Sequence, residues 1–329
     1  MGIQWFRGAA RLAAVAAISA AMAGSAGAAT IRMAFGDIAS IEQLNILIAL
    51  ERAKERGVSV ETTFFKSEDL AAQAIVGGQA DVGIGTPYAL LQKVKAPIRM
   101  FFQISNLRFY PVVNTEFYKD WKDLDGQEFA VHSRGSGTEA IMNLMAKKHG
   151  IKFSRLSYVP GAEVRAAALL KGNVKATILD SSSLRLVEEK GGDKFKVLDM
   201  GNVTATDEAL YANTNFLEKN TEAVTILVEE MLRTQREINK DPKVVVDLRA
   251  KYKLLPDLPK DLEPEVLPYF QDAVKADLYP NDGGSPEAVK NDFDFFTVAG
   301  QLKGSADSLK VEDFWDFAPL KQAQAKLGK

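Results

Sequence analysis

A short apolar run, a loop of small residues and a helix start recur along this chain, and that alternation restricts it to an α/β design. The pattern is clearest between Asp125 and Lys148, DGQEFAVHSRGSGTEAIMNLMAKK. Asp125-Gly126 reads as a turn, Glu128 to His132 as a strand, Ser133 to Gly137 as a Gly/Ser loop, and Thr138 onward as a helix with Ile141, Leu144 and Met145 on one face. Ser136 with Glu139 three residues on fits a capping box. Free N–H groups, the positive end of the helix dipole and the charge of Arg134 make this loop attractive to an anion. A capping box before an apolar helix is also ordinary helix chemistry, so the loop gains meaning only because the design is repeated.

It is repeated in order. Ile31 to Phe35 reads as a buried strand, Gly36-Asp37-Ile38-Ala39 as a loop, and Ser40 as a cap with Gln43 three residues on, before a helix carrying Leu44, Leu47, Ile48 and Ala53. Val58 to Phe65 is a second strand, followed by a helix from Ser67 to Gly77-Gly78; Ala80 to Ile84 is a third, with Thr86 as N-cap and Pro87 at the first helical position. From Arg99 to Val113 the chain is apolar and aromatic without a helical period, which predicts strands, one of them crossing to a second domain. Leu156 to Val159 leads through Pro160-Gly161 into a helix over 162–170, and Lys175 to Leu179 leads to a helix capped by Asp180-Ser181-Ser182. After a strand from Phe195 to Asp199, Ala209 to Ala212 reads as a second crossing; beyond Leu217 the pattern is helical, over Glu222 to Asn239 and from Pro242, Pro264 and Pro286. The chain therefore predicts two doubly wound α/β domains, the first from 29–112 and 210–329 with the C-terminal helices packed on it, the second inserted over 113–209.

The first residues set an expected compartment. Arg7 and Arg11 precede an apolar run from Leu12 to Met22 and a small-residue stretch with Ala26-Gly27-Ala28 as the cleavage site, which reads as a signal peptide over residues 1–28. The run is shorter than the ~20 residues of a spanning helix. The chain has no Cys, hence no lipoprotein anchor and no disulfide. The mature part carries 39 Lys and Arg against 43 Asp and Glu, a net charge of −4, which argues against non-specific nucleic-acid binding.

Catalytic and metal patterns are missing. No Gly-x-Ser-x-Gly elbow, P-loop or metal-spaced histidine pattern occurs, and Gly83-x-Gly85 lacks the third glycine of a dinucleotide fingerprint. The two histidines, His132 and His149, fall on different elements, and neither is placed to activate the serines after Asp180. The expectation is a binding protein without catalytic residues, metal or cofactor.

Three stretches then resemble a known family. Leu70 to Leu91 (LAAQAIVGGQADVGIGTPYALL), Leu124 to Leu144 (LDGQEFAVHSRGSGTEAIMNL) and Val159 to Asp180 are similar to segments of extracytoplasmic solute-binding proteins, and most nearly to the ABC-transporter binding proteins for nitrate, sulfonates, taurine and thiamine precursors. The resemblance runs from about Ile31 to Phe216. It implies a type II periplasmic-binding-protein fold, two α/β domains joined by two crossing strands and closing on a solute. It further implies a monomeric periplasmic receptor that hands a small organic anion to an ABC permease. The ligand loops it implies are Gly36, Asp37 and Ile38; Thr86 with Tyr88; Ser133, Arg134, Gly135, Ser136, Gly137 and Thr138; Gly161 with Glu163; and Asp180 with Ser181. Phe35, Tyr88 or Tyr110 would cover an apolar part of the solute. Thr86 and Asp180 read equally well as helix caps, Glu163 as a solvated first-turn acid, and Arg134 as a residue extended into solvent. The Ser-Gly-Thr-Glu run at 136–139 also resembles TRAP-transporter receptors of the TAXI type, and the same fold would serve a secreted enzyme or a sensor subunit. A family branch that makes pyrimidines uses a Cys-rich motif, which this chain lacks.

Overall fold

The computed structural model describes residues 30–328; the expected signal peptide lies outside the described residues. Strands and helices alternate in the first half: β1 (Thr30–Phe35), α1 (Leu44–Glu55), β2 (Ser59–Phe64), α2 (Glu68–Val76), β3 (Val82–Gly85) and α3 (Tyr88–Val94). Two strands follow in succession, β4 (Ile98–Asn106) and β5 (Tyr110–Asn114). The alternation then resumes with β6 (Glu128–Val131), α4 (Gly137–His149), β7 (Arg155–Tyr158), α5 (Ala162–Leu170), β8 (Ala176–Leu179) and α6 (Ser181–Gly191), closing with β9 (Phe195–Val197) and β10 (Thr206–Asn213). The rest is helical: α7 (Thr214–Lys219), α8 (Thr221–Lys240), α9 (Val244–Tyr252), α10 (Val266–Lys275), α11 (Pro286–Val298) and α12 (Ala318–Leu327).

The strands form two five-stranded sheets of one design. The first has the order β2-β1-β3-β10-β4 and the second β7-β6-β8-β5-β9. In each, three strands run parallel and the strand beyond them is antiparallel, β10 against β3 and β5 against β8. The chain changes sheet over 107–109 and again over 198–205, because β5 pairs wholly within the second sheet and β10 wholly within the first. Both changes fall a few residues before the boundaries expected from the sequence, since the aromatic run gave no sign of where β4 ends.

Burial explains the arrangement. β1 and β3 are buried on both faces, as a parallel sheet covered by helices requires. α8 turns Val224, Leu227, Val228, Met231 and Leu232 onto the first sheet's core, each fully buried apolar side chain contributing about 1.5–3 kcal/mol. α12 packs beside α8, while α11 reaches α4 of the second domain and β10 of the first. The C-terminal helices thus cover the first domain and also touch the second.

The start of α3 departs from expectation. Pro87 is its N-cap rather than its first residue, and the Thr86 hydroxyl is buried without a partner among the described residues. Tyr88 accounts for this: it is fully buried, its hydroxyl donating to Asp292 Oδ2 at 2.6 Å and accepting from Trp315 Nε1 at 2.8 Å.

Candidate functional site

A cavity opens where the carboxyl ends of the two sheets face each other, the position at which open α/β sheets bind ligands. The loop after β1 supplies Gly36 and Asp37, the loop after β6 supplies His132 and Ser136 to Thr138, and the end of β8 supplies Asp180 and Ser181. These walls belong to different domains and touch. His132 Nε2 lies 3.0 Å from the Gly36 carbonyl oxygen, which only accepts, so this nitrogen carries the proton. Burial pushes the imidazole pKa down despite Asp37 at 3.6 Å, which keeps the ring neutral. Gly161, at φ 83°, comes so close to Ile38 that a Cβ built there would stand 2.7 Å from Ile38 Cδ1.

The helix starts are largely occupied by the chain itself. Ser136 Oγ accepts from Glu139 N at 3.3 Å, and Glu139 Oε2 accepts from Gly135 N at 2.7 Å. Asp207 Oδ1 stands 3.0 Å from where a Cβ on Gly137 would lie. Asp180 caps α6, its Oδ1 accepting from Ser183 N at 2.6 Å and Ser182 Oγ at 2.9 Å. A built-in carboxylate therefore meets the helix end that the sequence offered to an anion.

Of the residues named from the sequence, the cavity lining gathers Gly36, Asp37, Ser136, Gly137, Thr138, Asp180 and Ser181. Ile38, Ser133, Gly135, Gly161 and Glu163 stand around it without lining it. Thr86 and Tyr88 belong to the core of the first domain. Arg134 turns outward, its guanidinium 5.8 Å from the centre of the Tyr158 ring. Phe35 and Tyr110 line the cavity.

Sequence reasoning missed much of the lining. Glu42, Glu68, Asp207 and Glu208 project into it, as does Asn45 from the first turn of α1. α10 and the residues after it add Tyr269, Asp272 and Tyr279. This C-terminal wall is tied to the second domain: Arg185 of α6 pairs with Glu265 at 2.7 Å and with Asp272, and Lys190 pairs with Asp261 at 3.0 Å. Arg165 is 2% exposed and spends its guanidinium on backbone, Nε on the Ile178 carbonyl and Nη1 on that of Val159, both at 2.9 Å.

Crowding of acids dominates the electrostatics. Burial raises the Glu68 pKa to about 8, with Glu208 and Asp37 adding to it. Burial and then Asp37 raise Glu208 to about 7, and burial with neighbouring carboxylates pushes Glu42 and Asp207 well above the usual carboxylate range. Beside the cavity, Glu163 rises to about 7, chiefly by burial.

Known proteins place this architecture. A structure from Bordetella bronchiseptica RB50 superposes with a TM-score of 0.73 at 21% identity, over 92% of this chain and 98% of that one. The periplasmic nitrate-binding protein NrtA from Synechocystis PCC 6803 gives 0.68 at 14% identity, over 91% and 89%. The periplasmic aliphatic sulphonate binding protein SsuA from Escherichia coli gives 0.60 at 16%, over 87% and 92%. Likeness at this level shows the fold, which is that of the periplasmic binding proteins. No curated protein matches the sequence. The NMT1/THI5 like family model matches residues 45–244, more than half of the chain, from α1 to the start of α9. The chain belongs to the NMT1/THI5-like family and has the two-domain periplasmic-binding-protein fold.

Proposed function

We propose that this protein is a periplasmic receptor that closes its two domains around a small solute and delivers it to the permease of an ABC importer. The observation that carries this reading is the cavity built from the carboxyl-end loops of both sheets, whose walls meet at Gly161 and Ile38 and at His132 and Gly36. Such a site opens and shuts by hinge motion at the two crossings, and one chain supplies both walls, which fits a monomer. The names of NrtA and SsuA, both periplasmic binding proteins, support an exported receptor, and a similar structure from Staphylococcus aureus named as the ligand binding component of an ABC-type import system favours an ABC over a TRAP partner.

A role without chemistry fits the lining. His132 is held on a backbone carbonyl and faces Asp37 rather than a serine. The organic anion implied by the resemblance finds less support, because Arg134 points outward and the α4 start already meets Asp207 and Glu139. The testing experiment is mass spectrometry of whatever the purified protein releases on denaturation, before and after prolonged incubation at 37 °C with that same compound in excess. A receptor returns the compound unchanged, whereas conversion to a product would replace this reading with that of an enzyme.

A further inference from the structure

Resting on the receptor reading above, we infer that the cleft selects a small organic cation, a protonated amine or amidine, in place of an anion. Among the described residues the lining holds seven carboxyl groups, from Asp37, Glu42, Glu68, Asp180, Asp207, Glu208 and Asp272, against two guanidinium groups. Neither guanidinium is paired with a lining carboxylate: Arg165 donates from Nε and Nη1 to the two backbone carbonyls and acts on Asp37, Glu42 and Asp180 through charge alone, and the exposed Arg108 donates from Nε to the Tyr110 hydroxyl at 3.2 Å. Asp272 is paired with Arg185 and Asp180 is a cap, but among the described residues Glu42, Asp207 and Glu208 have no Lys or Arg within ion-pair distance. Half-buried carboxylates that outnumber the nearby cations are unfavourable unless they take up protons or a cation arrives.

A second observation is independent of charge. Asn45 lines the cavity at 1% exposure, and neither its amide oxygen nor its amide nitrogen has a partner among the described residues. A buried amide is costly to leave unpaired, so its presence at the cavity wall points to a hydrogen-bonding solute. Its oxygen accepts from the N–H groups of an amine or amidine, which the surrounding carboxylates then neutralise. Phe35, Phe109 and Tyr269 add aromatic surface for the organic part and for a cation held over a ring. A bare divalent ion fits less well, since among the described residues no three His, Asp or Glu groups are placed to hold a metal.

The test is equilibrium dialysis of the full chain, stripped of solute by unfolding and refolding, against a defined mixture at pH 7.5. The mixture pairs amines and amidines with shape-matched carboxylates and sulfonates, benzylamine with benzoate and butylamine with butanesulfonate among them, together with agmatine, choline, glycerol, nitrate and zinc chloride. Enrichment confined to organic cations is the expected result. For the enriched compound, Glu42→Gln with Glu208→Gln should weaken binding about tenfold or more, while Arg134→Ala leaves it within about twofold. Enrichment of an anion, a neutral compound or zinc would overturn the cation assignment and leave the receptor reading standing. Enrichment of nothing by a refolded protein would overturn both.

Discussion

Glu68 gives the sharpest stability prediction. Its carboxyl opens α2, sits a quarter exposed and 4.0 Å from His132 Nε2, and is faced by Glu208 and Asp37 across the cavity and by Asp69 and Glu139. In the folded chain it holds its proton up to about pH 8, against 4.5 ordinarily. The solute-free folded state therefore binds more protons than the unfolded chain throughout that interval. Its stabilising contribution is fully present below pH 4.5 and is lost as the pH rises through 8. A gap of this size sets a ceiling of about 5 kcal/mol at 1.36 kcal/mol per pH unit, and partial exposure reduces it to roughly 2–3 kcal/mol. Glu68→Gln keeps a neutral side chain of the same shape at every pH. In urea unfolding of the solute-free protein, the variant should match the parent at pH 5 and exceed it by roughly 2–3 kcal/mol at pH 8. A constant difference between the two proteins from pH 5 to pH 8 would refute the reasoning.

Other predictions follow from close contacts. Gly161→Ala places a methyl on Ile38 at a φ of 83°, so solute affinity by calorimetry should fall at least about tenfold and the strained backbone should lower the melting temperature without solute as well. Gly83→Ala drives a Cβ to 2.2 Å from the Tyr211 ring inside the first sheet and should destabilise the fold by about 1–3 kcal/mol or more in urea unfolding. Tyr88→Phe leaves Asp292 and Trp315 without the hydroxyl between them; it should cost about 1–3 kcal/mol of stability and leave solute affinity unchanged.

Strands such as β1, β3, β6 and β8 were readable because each is a short apolar run between small or polar residues. The apolar spacing of Ile141 and Met145 likewise marked α4, and Ser136 its cap. Tyr88 was misplaced because a Thr-Pro pair does not say which residue starts the helix, and the pull of Asp292, more than two hundred residues away, decides it. Asp207 and Glu208 lie just before the run from Ala209 to Ala212 that marks the strand, and the antiparallel pairing of β10 with β3 and β4 brings them to the cavity. Glu42 is a first-turn acid beside the Ser40 cap, and nothing in its local sequence distinguishes it from the acids that open other helices. Tyr269 and Tyr279 could not be assigned from the sequence, since α10 is brought to the cleft by long-range packing with Ile41, Leu44 and Leu186 and by the ion pairs of Glu265 and Asp272 with Arg185. The expected anion site failed to anticipate the carboxylates because a local motif reports free N–H groups but not the side chains that arrive from elsewhere.

A receptor of this kind works by domain closure, and the absence of Cys allows labels to be placed at chosen sites to measure it. Spin labels on Val76→Cys of the first domain and Glu116→Cys of the second, both exposed positions, report the separation of the domains in solution by pulsed electron resonance. The protein freed of solute by unfolding and refolding should show a longer or broader distance distribution, which narrows to one shorter distance when the released solute is returned. An identical distribution with and without saturating solute would contradict the account.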